Sequence, residues 1–261
     1  MSQAMILDRI IAAKKAEVRA AGTRMSPAHL EEAARATAPA RDFRAALTGR
    51  HCAIIAEVKR RSPSRGVLRE GIDPVRVAAL YERNGAAAVS VLTNGPFFGG
   101  SIEDLRAVSR SAGIPVLRKD FIVDPLQIYE ARAAAADSLL LIAGILEREQ
   151  LRDFLALSRS LGMTPIVEVH GRDDLDKALE ARAEIVGINN RDLRTFRTDL
   201  RRTLELAALV PKDRVVVSES GISTPDHIRM LRDAGVRALL IGEALMTAPD
   251  IGEKLRELLS C

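Results

Sequence analysis

Hydrophobic positions along this chain follow two different periods. Up to about residue 50 they recur at helical spacing, as in Leu7, Ile10, Ile11, Lys14 and Val18, and helical signals continue to about Leu47. From residue 53 onward, short β-branched apolar runs appear at 53–58, 88–92, 115–118, 138–143, 164–169, 184–188, 214–218 and 238–241. Each run leads into an amphipathic segment with helix punctuation. Asp73-Pro74, Ser101 and Thr224-Pro225 stand at helix starts, and glycine follows the helix ends.

Eight strand–helix units in about 210 residues predict an α/β chain folded as a (β/α)8 TIM barrel. The runs are apolar throughout, as strands buried on both faces should be. A doubly wound open sheet is the competing architecture. It usually has fewer strands and a glycine-rich turn after the first, and that turn is missing here. The expected organisation is one barrel domain over residues 1–261, with residues 1–50 as an N-terminal helical extension packed on it.

Composition narrows the function classes. Hydrophobic residues make up 47% and charged residues 28%, enough for a sizeable core. Aromatics are only 3% and tryptophan is absent, so stacking platforms for single-stranded nucleic acid are poorly supplied. The net charge of +4 is scattered along the chain and forms no basic block. Cys52 and Cys261 give neither a disulfide framework nor zinc spacing. Asp8, Lys14, Lys15 and Glu17 interrupt the N-terminal segment, which therefore has no signal-peptide core. The longest apolar stretch, near Ser138–Leu146, is far short of the ~18 residues that span a bilayer. The expectation is a cytoplasmic protein, a monomer or weak homodimer, with a small-molecule partner and neither nucleic acid nor membrane.

Barrel chemistry sits at the C-terminal ends of the strands, and those ends are dense in ionisable groups: Glu57 and Lys59, Lys119 and Asp120, Glu168 and His170, Asn189 to Arg191, Glu219, and Glu243. Such residues are seldom buried unless paired. Glu57 and Lys59 share a strand face, so the carboxylate can orient the ammonium. Gly187 and Asn189 share one too, the glycine leaving room beside the asparagine. Only seven of the 39 cations are lysines. Keeping Lys59 and Lys119 at strand ends points to proton transfer, because a desolvated lysine can lose its proton and arginine cannot. Ser220-Gly221 after the seventh run and Gly242-Glu243 after the eighth look like phosphate cradles, and Ser62-Pro63-Ser64-Arg65-Gly66 is a third candidate anion loop. No metal-ligand spacing, P-loop or G-x-S-x-G is present, and Glu168-x-His170 alone is not a metal site. His29, His51 and His227 fall in helical or linker contexts, where surface positions are expected. No cofactor is expected. The reading is acid–base work on a phosphorylated small molecule.

The segments IAEVKRRSPSRG (55–66), FFGGS (97–101), PVLRKDFI (115–122), IVEVH (166–170), GINNRDLRTF (187–196), VSESGI (217–222) and LIGEALM (240–246) closely resemble the indole-3-glycerol-phosphate synthase family. The resemblance runs through all eight units in family order. Arg61 stands where the family often has alanine, and Gly99 where a larger residue is common. The resemblance implies ring closure of 1-(2-carboxyphenylamino)-1-deoxyribulose 5-phosphate, with loss of carbon dioxide and water. It implies that Lys119 is the acid protonating the developing alkoxide, that Glu168 is the base for dehydration, and that Lys59, held by Glu57, assists as a second acid or by pairing with a substrate anion. Asn189 and Glu219 would hold sugar hydroxyls, and Ser62 and Arg191 the carboxylate. Ser220, Gly221, Gly242 and Glu243 would surround the phosphate, the last two through backbone N–H groups. Pro63, Phe98, Phe121, Leu140 and Leu193 would form the slot for the aromatic ring. Another ribulose-phosphate barrel isomerase needs only one acid and one base, and a non-catalytic phosphosugar-binding module would keep the glycine loops without the acids and bases.

Overall fold

The computed structural model describes residues 4–22, 26–49, 52–192 and 195–260. Three helices come first: α1 (Ala4–Gly22), α2 (Pro27–Ala36) and α3 (Phe43–Thr48). The barrel strands follow as β1 (Ala53–Val58), β2 (Ala88–Leu92), β3 (Val116–Lys119), β4 (Ser138–Ile142), β5 (Ile166–Val169), β6 (Ile185–Asn189), β7 (Val215–Glu219) and β8 (Ala238–Ile241). All pair in parallel and the sheet closes, β1 bonding to both β2 and β8. Closure excludes the open-sheet alternative. The expected strands all form, and the main difference is at β3, β6 and β7, which run on to include Lys119, Asn189 and Glu219.

Strand alternation divides the core in two. Ile54, Val89, Leu139, Val167, Val186, Val216 and Leu239 face outward and pack with the surrounding helices. Ile55, Leu117, Leu140, Ile166, Val217 and Leu240 form the interior cluster, together with Phe43 and Leu47 of α3. The extension thus contributes core as well as surface. The caps read from sequence are made. Asp73 accepts from the backbone N–H groups of Val75 and Arg76, Ser101 from Asp104, and Thr224 from His227. His29 is exposed, His227 is half-buried with Nδ1 accepting from the Ser223 N–H, and His51 lies outside the described residues. Among the described residues, no helix is long and apolar enough to cross a membrane.

Candidate active site

Inward positions change character at the C-terminal strand ends, where apolar side chains give way to charge. Glu57 (β1), Lys119 (β3), Glu168 (β5), Asn189 (β6) and Glu219 (β7) all line one cavity of about 650 Å³, and Lys59, just past β1, lines it too. That volume suits a small metabolite. Glu57, Glu168 and Glu219 are each at most 3% exposed. Glycine makes the space for two of them. A Cβ on Gly187 would overlap Glu219 Oε1, and one on Gly242 would overlap Glu57 Oε1. This corrects the expectation for Gly187: the room it leaves is filled by the carboxylate from β7 rather than kept for Asn189.

Lys59 Nζ lies 2.5 Å from Glu57 Oε1, the same-face pair that the spacing predicts. Lys119 Nζ lies 3.4 Å from Glu168 Oε2 and 3.6 Å from a Glu219 oxygen. Burial alone would pull the Lys119 ammonium down, but Glu168, Glu219 and Glu57 outweigh it and hold the group above the ordinary lysine range. The desolvation argument made from sequence therefore has the wrong sign here. So basic an amine stays charged, and it yields its proton only to a strongly basic oxygen such as an alkoxide. Burial would raise Glu168, but Lys119, His170 and Asn189 prevail and keep it below the usual carboxylate range. Glu219 goes the other way. Burial first, then the charge on Glu168, push it up to about 8 against the pull of Lys119. Neither Glu219 oxygen accepts from an N–H or O–H donor, and the proton it keeps faces the Glu168 carboxylate.

The loops complete the wall. Ser220 and Gly221 both adopt left-handed backbone, φ 69° and 80°, and both line the cavity. Such a turn can gather successive N–H groups around an anion. A Cβ on Gly221 would overlap the Thr198 methyl group. Asn190 braces this turn, donating to the carbonyls of Glu219 (2.9 Å) and Ser220 (3.1 Å) and accepting from the Thr203 hydroxyl (2.7 Å). Gly242 precedes the short helix Glu243–Met246. The Glu243 carboxylate sits 2.9 Å from Arg65 and 3.0 Å from Arg191, and Arg191 also donates to Ser64 Oγ at 2.6 Å. Arg191 thereby joins the loops after β1, β6 and β8. The loop after β1 is a small hairpin of Arg61–Ser62 with Gly66–Val67, and it places Ser62 and Pro63 at the cavity.

Phe98 and Phe121 face each other with ring centroids 6.2 Å apart, and with Leu140 they line the same cavity. Leu193 lies outside the described residues. Sequence reasoning missed the other side of this slot, which is Ile6, Leu7 and Ile10 of α1. A signal was present: Lys14 falls within the apolar stripe of that helix. It is 1% exposed, and its Nζ lies 3.0 Å from Asp120. Asp120 also accepts from Thr93 (2.6 Å) and pairs with Arg118 (3.3 Å). Burial would raise this carboxyl, but Lys14, Arg118 and Thr93 hold it below its ordinary range. The extension is thus pinned beside Lys119 and Phe121. Arg61 and Gly99 meet each other: a Cβ on Gly99 would sit 3.3 Å from the Arg61 side chain, and Gly99 has φ 68°.

A closed parallel barrel with a buried lysine–carboxylate cluster at its strand ends defines an acid–base enzyme of the (β/α)8 class. Solved structures share the fold at low identity. A thiamine phosphate pyrophosphorylase from Pyrococcus furiosus is 18% identical with a TM-score of 0.59, over 80% of this chain and 94% of that one. A dimeric phosphoribosylanthranilate isomerase from Thermotoga maritima, in mutually generated monomeric form, is 15% identical with a TM-score of 0.58, over 80% and 96%. Sequence comparison goes further. The family profile described as indole-3-glycerol phosphate synthase matches residues 7–258. Proteins of that name from Roseiflexus sp. (strain RS-1) and Alkaliphilus metalliredigens (strain QYMF) are 51% and 46% identical, over 97% of both chains and 98% of both chains respectively. The chain belongs to the indole-3-glycerol phosphate synthase family, decarboxylating lyases of tryptophan synthesis.

Proposed function

We propose that this chain closes the ring of 1-(2-carboxyphenylamino)-1-deoxyribulose 5-phosphate, giving indole-3-glycerol phosphate, carbon dioxide and water. The observation that carries this reading is Lys119 seated between Glu168 and Glu219 in the cavity that also holds the Phe98–Phe121 pair and the Ser220–Gly221 turn. The phosphate binds at Ser220, Gly221 and the N–H groups at Gly242 and Glu243. The aromatic ring enters the slot of Pro63, Phe98, Phe121 and Leu140, closed by Ile6, Leu7 and Ile10. Ser62 and Arg191 take the carboxylate. Lys119 protonates the oxygen that becomes an alkoxide when the aryl carbon attacks the ketone. Loss of carbon dioxide restores the aromatic ring. Hydroxide then departs as water while Glu168 removes the carbon-bound proton. Lys59, oriented by Glu57, supplies the second proton or pairs with the substrate's anion. Glu219, neutral at pH 7, and Asn189 hold the sugar hydroxyls.

The work is done in the cytoplasm by one barrel domain spanning residues 1–261, with 1–50 as its extension, as a monomer or weak homodimer. The direct test is incubation with the ribulose phosphate while following indole fluorescence. Glu168→Gln separates the steps: carbon dioxide release should outrun the indole signal in a single turnover. Equal loss of both, at unchanged affinity, would place Glu168 in ring closure instead.

A further inference from the structure

The motif Glu168-x-His170 holds one titratable group that the mechanism leaves unused. His170 follows β5 on the face of Glu168, and its Nε2 lies 3.3 Å from Glu168 Oε1. That nitrogen is buried and has no hydrogen bond. A buried ring nitrogen without a partner is uncommon, and a small turn of the ring would bring it into line with the carboxylate oxygen beside it. The other nitrogen, Nδ1, lies 3.8 Å from Asp174 Oδ2, where the His170 ring is 18% exposed and Asp174 20%. Glu168 is 2% exposed and lines the substrate cavity, whereas His170 does not line it. The array Glu168–His170–Asp174 therefore runs from the buried cluster to solvent by a route separate from the substrate's entrance.

We infer that His170 is the proton inlet of the active site, a positioning residue that takes a proton from water on its Asp174 side and hands it from Nε2 to Glu168. This rests on the proposed reaction, whose balance requires an inlet. The alkoxide takes one proton, the departing hydroxide takes a second, and only one returns from carbon to Glu168. The carboxylate of the substrate leaves as neutral carbon dioxide. Each turnover therefore consumes one proton, while bound substrate fills the cavity through which water would reach Lys119. The transfers balance without any redox partner. Imidazolium gives Nε2–H to Glu168, the carboxylic acid passes it to the neutral Lys119 amine 3.4 Å away, and the recharged Lys119 protonates the departing hydroxide. The proton that Glu168 then takes from carbon recharges Lys119 for the next turnover, while Lys59 stays paired with a substrate anion. The charged groups facing the ring are Glu168 from β5 and Asp174 from the helix Arg172–Glu180, with Lys119 and Glu219 behind Glu168. Lys177 of that helix is turned away, donating to the carbonyls of Ala143 and Leu146.

The test is His170→Asn, with His170→Gln alongside in case the first variant folds poorly. Both keep a polar side chain but cannot titrate. In the first turnover carbon dioxide release should run at the wild-type rate, because the resting Lys119 is already charged, while the indole signal should lag, because the proton for the departing hydroxide must arrive through His170. Steady-state turnover should fall by about a hundredfold, the lower bound for a placed proton-transfer group. Added imidazole should restore the rate at unchanged KM. If carbon dioxide release and indole formation slow together and imidazole does nothing, the ring is only a support for Glu168 and the inlet is refuted. Unchanged steady-state turnover at every pH refutes it as well. Wild-type turnover in Glu168→Gln would instead remove the base assignment itself, whatever His170 does.

Discussion

Replacing Glu219 by glutamine should make the protein more stable at alkaline pH, and the size of the gain follows from its surroundings. The carboxyl is 1% exposed, accepts from no N–H or O–H donor, and lies 3.6 Å from Lys119. Burial and the neighbouring Glu168 push it from 4.5 up to about 8. At pH 7 the folded chain therefore holds this proton about ten times out of eleven, while the unfolded chain has lost it. A folded state that binds the extra proton loses stability as pH rises. The contribution is intact below about 4.5, declines across the interval, and is gone above about 8. At about 1.4 kcal/mol per pH unit the whole interval caps the loss at about 5 kcal/mol. Lys119 is charged throughout this range in both proteins, so it drops out of the comparison. Glutamine has the same shape and no charge to expose. Urea denaturation of both proteins from about pH 5 to about pH 9 should give curves that diverge, the variant gaining a few kcal/mol at the alkaline end while its KM for the substrate rises. Parallel curves would refute the claim that Glu219 is a buried neutral acid.

Three further outcomes follow from the same geometry. Lys119→Arg keeps the charge between Glu168 and Glu219 but removes the transferable proton, so kcat should drop by at least about a hundredfold with affinity largely kept; near-normal kcat would end the acid assignment. Gly187→Ala drives a methyl group into Glu219 Oε1 and to 2.7 Å from Ile166 Cγ2, which should cost about 1–3 kcal/mol in urea denaturation and lower kcat with it. Lys14→Met leaves Asp120 buried with only Arg118 as a cation at 3.3 Å, so destabilisation of about 3 kcal/mol is expected, and a double-mutant cycle with Asp120→Asn should show coupling of at least about 1 kcal/mol; simple additivity would show the pair idle.

Most of the barrel was legible because a strand buried on both faces and a helix buried on one leave different periods in the sequence, and the caps at Asp73, Ser101 and Thr224 mark where one gives way to the other. The floor of the site was legible for a related reason: Glu57, Lys119, Glu168 and Glu219 are charged residues at inward positions of otherwise apolar strands. What escaped depends on contacts between segments distant in sequence. That Ile6, Leu7 and Ile10 reach the substrate slot depends on where α1 docks, and the docking is fixed by a partner 106 residues away from Lys14. The same limit applied to charge. Sequence could place Lys119 in a desolvated strand end, which argues for a lowered ammonium. It could not count the carboxylates brought around it by β1, β5 and β7, and those reverse the sign.

That reversal bears on how the site divides its work. One lysine cannot neutralise Glu168 and Glu219 together inside a low-dielectric barrel, so their environments drive them apart. Glu168 shares Lys119 with hydrogen-bonding support from Asn189 and stays ionised, as the proposed base must. Glu219 lies in the space left by Gly187, with no hydrogen-bond donor of its own, and keeps its proton. Gly187, which contributes no side chain to the chemistry, makes the buried space in which the Glu219 carboxyl sits. Any side chain there must displace the Glu219 carboxyl from the space it occupies, and so disturbs the separation on which the proposed pairing of an ionised base with a neutral acid depends.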